Sequence, residues 1–127
     1  MIKERVRYAE TDQMGVAYHG AYAAWFEIGR TAYCKAKGVI YRELERKGWG
    51  LVVVELSAAY KRPLHYDDEF EIWTDVSDVR SKMAEFTYTI KRDGVVCTQG
   101  RTKHLFVAMD TFKPASAPPE VVEKLLR

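Results

Sequence analysis

From residue 51 to residue 110 the chain passes through four stretches in which apolar residues recur at every second position, and only one strongly apolar helix precedes them. A period of two sets alternate side chains on one face of a strand. In LVVVELSAAYKRP that face carries Val52, Val54, Leu56, Ala58 and Tyr60, and the strand ends at Pro63. HYDDE reads as a turn. EFEIWTDVS then repeats the period with Phe70, Ile72, Thr74 and Val76, and MAEFTYTIKRDG with Ala84, Phe86, Tyr88 and Ile90. Asp93-Gly94 signals a hairpin into a last strand, VVCTQGRTKHLFVAMD. Strands that follow one another while helices are segregated from them make the class α+β, with a mostly antiparallel sheet.

The helix lies upstream. From Tyr22, apolar and small residues fall at Trp25, Phe26, Gly29, Tyr33 and Ala36, the stripe of a buried amphipathic helix. Gly38 stands where a C-terminal cap glycine would. Residues 2–9 alternate and predict a short first strand, residues 10–18 a loop, YRELERKG a second short helix, and PPEVVEKLLR a C-terminal helix with proline near its start. One long helix against four long strands predicts a sheet wrapped around that helix. With 127 residues, no repeat and no linker, the expectation is one domain spanning 1–127.

Composition excludes several functions. Hydrophobic residues make up 47% of the chain, too many for a disordered one. A net charge of +2 lacks the basic excess of a nucleic-acid binder. Cys34 and Cys97 form no CxxC pair and sit in no His/Cys cluster, so both read as reduced packing residues and no metal site is expected. The first ten residues carry no apolar signal segment, and no apolar run approaches the roughly 20 residues that span a bilayer. The expectation is a cytoplasmic protein without membrane partners.

Chemistry concentrates in YAETDQMGVAYHGAY, residues 8–22, just before the apolar helix. The first amides of a helix lack intrahelical acceptors and carry about half a positive charge. His19 and Gly20 fall there, and Gly20 leaves the end open to close approach. A carbonyl oxygen arriving at such an end is polarised, and a developing oxyanion is stabilised. Asp12 lies on a loop that must return to the same end. A carboxylate beside an oxyanion seat is what hydrolysis of a carbonyl compound asks for. Spacing alone leaves the plainer reading open, in which Asp12 is a turn or cap residue and His19 is structural.

The stretch VRYAETDQMGVAYHGAYAAWFEIGR resembles the opening signature of hotdog-fold acyl-CoA thioesterases of the 4-hydroxybenzoyl-CoA thioesterase family, on Tyr8, Glu10, Asp12, Gly15, Val16, Tyr18, His19, Tyr22, Trp25 and Phe26. The similarity continues weakly through AYKRPLHYDDEFEIWTDV and the strand order. The resemblance implies a hotdog fold, an antiparallel sheet around one long helix, in subunits that pair into dimers with one continuous sheet and often into homotetramers. It implies an acyl-CoA substrate, with coenzyme A as part of the substrate and no bound cofactor. It puts the catalytic carboxylate on Asp12 and the carbonyl-polarising backbone amide on His19, with Tyr18 and Gly20 against the substrate. Many relatives carry Asn two residues after the His, where this chain has Ala21.

Glu27 is a rival carboxylate, two turns into the helix, since another hotdog branch places its catalyst there; its plain role is pairing with Arg30. Coenzyme A phosphates need cations. Arg80, Ser81 and Lys82 in DVRSKM resemble the segment that meets the nucleotide in the family, and Lys61 and Arg62 are weaker candidates. His65, His104, Trp49 and Trp73 read as structural, surface or subunit-contact residues. Two functions follow: an acyl-CoA thioesterase, or a non-catalytic hotdog module that binds acyl-CoA or acyl-carrier protein. The retained Asp12 favours the first. A hotdog dehydratase is disfavoured because its longer motif is missing.

Overall fold

The computed structural model describes all residues 1–127. Five strands form one sheet: β1 (Ile2–Arg5), β2 (Trp49–Tyr60), β3 (Glu69–Val79), β4 (Met83–Arg92) and β5 (Val95–Ala108). Three helices accompany them: α1 (His19–Ala36), α2 (Tyr41–Arg46) and α3 (Pro119–Leu126). The strand order is β1-β3-β4-β5-β2, and every neighbouring pair is antiparallel. The sheet holds α1 as its core helix, as expected for a hotdog. No helix is long and apolar enough to cross a membrane.

The periods read from the sequence explain the core. Phe70 and Ile72 on β3, and Ala84, Phe86, Tyr88 and Ile90 on β4, are all buried. They meet the stripe of α1: Trp25 packs on Phe70 with ring centroids 4.4 Å apart, and Phe26 stacks on Tyr88 at 4.4 Å. Burying each of these aromatic side chains contributes about 1.5–3 kcal/mol. Close approach depends on two glycines. A β-carbon at Gly29 would collide with Thr74 and Ile72 on β3, and one at Gly100 on β5 would collide with the Phe26 ring.

Two expectations change. The first strand ends at Arg5 rather than at residue 9, and a single 3-10 turn occupies Tyr8–Glu10. There the Glu10 carboxylate accepts the Arg7 N–H at 2.8 Å, and the chain turns away from β3. On β2 the expected apolar face is not buried as a unit. The register with β5 slips between Val53 and Glu55, a bulge that breaks the alternation. Val54, Leu56 and Tyr60 are exposed, because β2 is an edge strand with one neighbour.

Candidate active site

Three segments meet at the N-terminal end of α1. The loop 11–17 folds back on itself as a small hairpin: the Asp12 N–H donates to Val16 O at 2.9 Å, the Gly15 N–H donates to Asp12 O at 3.0 Å, and Thr11 bridges Ala17. Gly15 has φ +79°, in the left-handed region that glycine enters freely. The chain leaving β2 ties to this hairpin. The Ala17 N–H donates to Leu64 O at 2.8 Å, and Val16 bridges His65. Between these segments and α1 lies a cleft of about 350 Å³, lined by Asp12, Tyr18, His19 and Tyr22 and, from the exit of β2, by Tyr60 and Lys61 to Pro63.

The structure therefore brings Asp12, Tyr18 and His19 into one cleft; Gly20, the next residue of α1, is not among its lining residues. Asp12 is exposed, and its Oδ1 accepts the Met14 N–H at 2.8 Å. That is a turn bond, so the plain reading of Asp12 is correct as far as it goes. Its other oxygen has no partner within the chain. At the helix start, the Ala21 N–H donates to Tyr18 O at 3.0 Å, while the N–H groups of His19 and Gly20 have no acceptor within the chain. Tyr18 precedes the helix and offers no side-chain cap. A β-carbon on Gly20 would come within 2.5 Å of the Tyr18 ring, so glycine is what lets that ring lie against the helix end. Tyr22 packs edge-to-face on Tyr60 at 4.9 Å, and burial pushes its phenol pKa up, keeping it protonated and neutral on the cleft wall.

Cations divide between two places. Lys61 and Arg62 follow β2 directly and stand on the cleft. The Lys61 Nζ donates to Gln99 Oε1 at 2.8 Å, and neither residue has a carboxylate partner. Arg80, Ser81 and Lys82 are elsewhere. Met83 registers with Leu105 on β5, whereas Tyr60 registers with Thr98, so they lie about 24 Å along the strands from the cleft. Arg80 is paired with Asp78 at 3.2 Å. Within one chain the structure does not bring these three residues to Asp12. Glu27 is exposed on α1 and does not form the expected pair with Arg30.

One motif residue has a partner that spacing does not reveal. Glu10 is buried, and its Oε2 accepts the Trp25 indole N–H at 3.0 Å, fifteen residues away. The signal available in sequence was a carboxylate placed in a motif ahead of a tryptophan-bearing helix.

The remaining candidates are structural. His65 lies at the surface beside Asp68, its Nδ1 3.7 Å from Oδ2. His104 is fully buried on β5. Burial pushes the Cys34 thiol up to about 11 and also raises Cys97, consistent with reduced packing residues. No three His, Cys, Asp or Glu side chains are gathered so that they could hold a metal ion.

Comparison with known proteins bears on the family and the fold. The model of the thioesterase-like superfamily matches residues 6–125. YneP of Bacillus subtilis, which carries a provisional acyl-CoA thioesterase name, is 39% identical over 110 residues, covering 86% of this chain and 80% of that protein. The acyl-CoA thioesterase YbgC of Haemophilus influenzae is 30% identical, covering 92% of this chain and 87% of its own length. The crystal structure of the DHNA-CoA thioesterase from Staphylococcus aureus superposes with a TM-score of 0.93 at 34% identity, over 97% of this chain and 85% of that one. By sequence and by fold, this chain belongs to the thioesterase-like superfamily, in its hotdog form.

Proposed function

We propose that the protein hydrolyses the thioester bond of an acyl- or aroyl-coenzyme A, giving the free acid and coenzyme A. The observation that carries the reading is the presence, on one cleft, of the exposed Asp12 carboxylate and of His19, whose backbone amide is unpaired at the start of α1. The names of YneP, YbgC and the Staphylococcus aureus enzyme support the substrate class.

The thioester carbonyl oxygen accepts the His19 N–H, and the positive end of α1 favours the charge that develops there. Asp12 either attacks the carbonyl carbon, forming a mixed anhydride that water then opens, or takes a proton from a water that attacks. Either way the C–S bond breaks, the acyl group gains the hydroxyl of water, and the thiolate takes up a proton. A thiolate is a good leaving group, so a dedicated general acid is less necessary. Tyr18 and Gly20 form the wall against the reacting carbonyl, and Tyr22 and Tyr60 face the acyl group. Lys61 and Arg62 stand where phosphates could meet them. Arg80, Ser81 and Lys82 would serve the nucleotide of a substrate bound at a neighbouring copy.

That last role requires an oligomer. The exposed edge of β2 offers one, a dimer in which two sheets join into one, pairing again into a homotetramer. The assembly is proposed to work in the cytoplasm, on a soluble thioester.

The test is thiol release from a panel of acyl-CoA esters by the native protein and by Asp12→Asn. Asparagine keeps the size and removes the charge. A loss of at least about a hundredfold, the scale of a missing acid–base group, supports Asp12 as the catalyst. Full activity in the variant would remove Asp12 from the mechanism and turn attention to Glu27. No thiol release by either protein would favour a module that binds acyl-CoA or acyl-carrier protein without cleaving it.

A further inference from the structure

We infer that Glu10 is a positioning residue: its buried carboxylate fixes the angle between the Asp12 loop and the first turn of α1. The catalytic consequence rests on the thioesterase reading; the geometric claim stands by itself.

Glu10 has a side chain only 9% exposed. A carboxylate in such a place loses much of its hydration and persists only where donors replace it. Three do: the Arg7 N–H at 2.8 Å, the Trp25 indole N–H at 3.0 Å, and the Arg7 guanidinium at 3.4 Å. The backbone of the same residue adds a fourth tie, its carbonyl accepting the Tyr18 N–H at 3.0 Å.

These ties span the neck of the loop. Tyr18 is the last residue before α1, and Thr11, next to Glu10, bridges Ala17, next to Tyr18. Trp25 is the rigid end of the arrangement, 1% exposed and wedged between Phe70 and Tyr22. Glu10 thus connects the loop that bears Asp12 to the helix that bears the His19 amide, through a side chain the core holds still. Both groups must address one carbonyl carbon and its oxygen. A misplacement of about 1 Å is enough to slow such a reaction by about a hundredfold.

The experiment compares the native protein with Glu10→Gln, Asp12→Asn and the double variant, at saturating and limiting substrate. Glutamine keeps the shape but offers one acceptor oxygen, so either the Arg7 N–H or the Trp25 indole faces an NH2 group. The expected result is a fall in kcat of about 10- to 100-fold with KM within about threefold. In the Asp12→Asn background the further loss should be under about threefold, because Glu10 acts through Asp12. A residue that only stabilises the fold would lower activity by the same factor in both backgrounds, and that outcome overturns the inference.

A second readout needs no activity. In a ¹⁵N-labelled sample, Glu10→Gln should shift the amide signals of His19 and Gly20 while leaving β3 and β4 in place. Unmoved signals, with the Glu10→Gln protein folded, overturn the inference whatever the kinetics show. If the native protein cleaves no thioester, the catalytic reading falls and the amide shifts alone decide the role of Glu10.

Discussion

Lowering the pH from 8 to 5 should destabilise the protein through His104, by an amount the structure lets one calculate. His104 is 1% exposed. Its Nε2 is 2.8 Å from Thr102 Oγ1, which is shared with the Tyr88 hydroxyl, and its ring stands edge-to-face on Phe86. Its Nδ1 has no partner. Burial, with the Arg30 charge as a smaller contribution, pushes its pKa down from 6.5 to about 4. The neutral ring is therefore the native form, and the unfolded chain takes up the proton first. Stability is fully present above about pH 6.5, declines as pH falls below it, and has lost its full share once pH passes about 4. The difference of about 2.5 units corresponds to about 3 kcal/mol, and by pH 5 about 2 kcal/mol should already be gone. Carboxylates also titrate in this range, so the assay is a difference. Urea unfolding of the native protein and of His104→Gln is followed at fixed protein concentration at pH 8, 7, 6 and 5. The variant will be less stable throughout, but its curve against pH should be flatter by about 2 kcal/mol across the window. Parallel curves would show that His104 titrates normally and that the burial argument is wrong.

Two further perturbations test the packing and the edge. Gly29→Ala forces a β-carbon against Thr74 and Ile72 and should cost about 1–3 kcal/mol in urea unfolding, and Gly100→Ala should do the same by pushing the Phe26 ring off β5. A wild-type midpoint in both would mean that α1 does not sit this close to the sheet. Val54→Lys with Leu56→Lys places two charges on the exposed stretch of β2 and should shift the proposed dimer of joined sheets to a smaller species in light scattering. An unchanged mass would remove β2 as the proposed subunit contact.

The parts of the fold that were legible in the sequence are those with one uninterrupted period. On β4 the alternation Ala84, Phe86, Tyr88, Ile90 has no bulge, and every one of these residues is buried. On β2 the alternation looked as regular, but a bulge near Val54 and an edge position decide exposure there, and both depend on which strand pairs with β2. The loop and helix start were legible because Asp12, Tyr18 and His19 are close in sequence as well as in space. Arg80 to Lys82 matched a pattern, yet their distance from Asp12 is set by the β4–β5 register, which no local reading contains. Glu10 was visible only as a letter in a motif. Its role needs Trp25, and that contact is made by the fold.

Asp12 and the helix start also show why a structural role and a chemical one need not compete. An ionised carboxylate offers about four acceptor sites on two oxygens. The turn bond to Met14 uses one of them on Oδ1 and in doing so holds the side chain in one orientation. The helix end is the complementary case. A serine or aspartate at position 18 would cap α1 and stabilise it by about 1 kcal/mol. The residue there is Tyr18, which caps nothing and leaves the His19 and Gly20 amides free. α1 tolerates that loss because Tyr22, Trp25 and Phe26 bury far more apolar surface than one cap is worth. Stability alone gives no reason to leave the His19 amide open on a tyrosine-lined cleft that also holds a free carboxylate oxygen. The proposed polarisation of a carbonyl gives one.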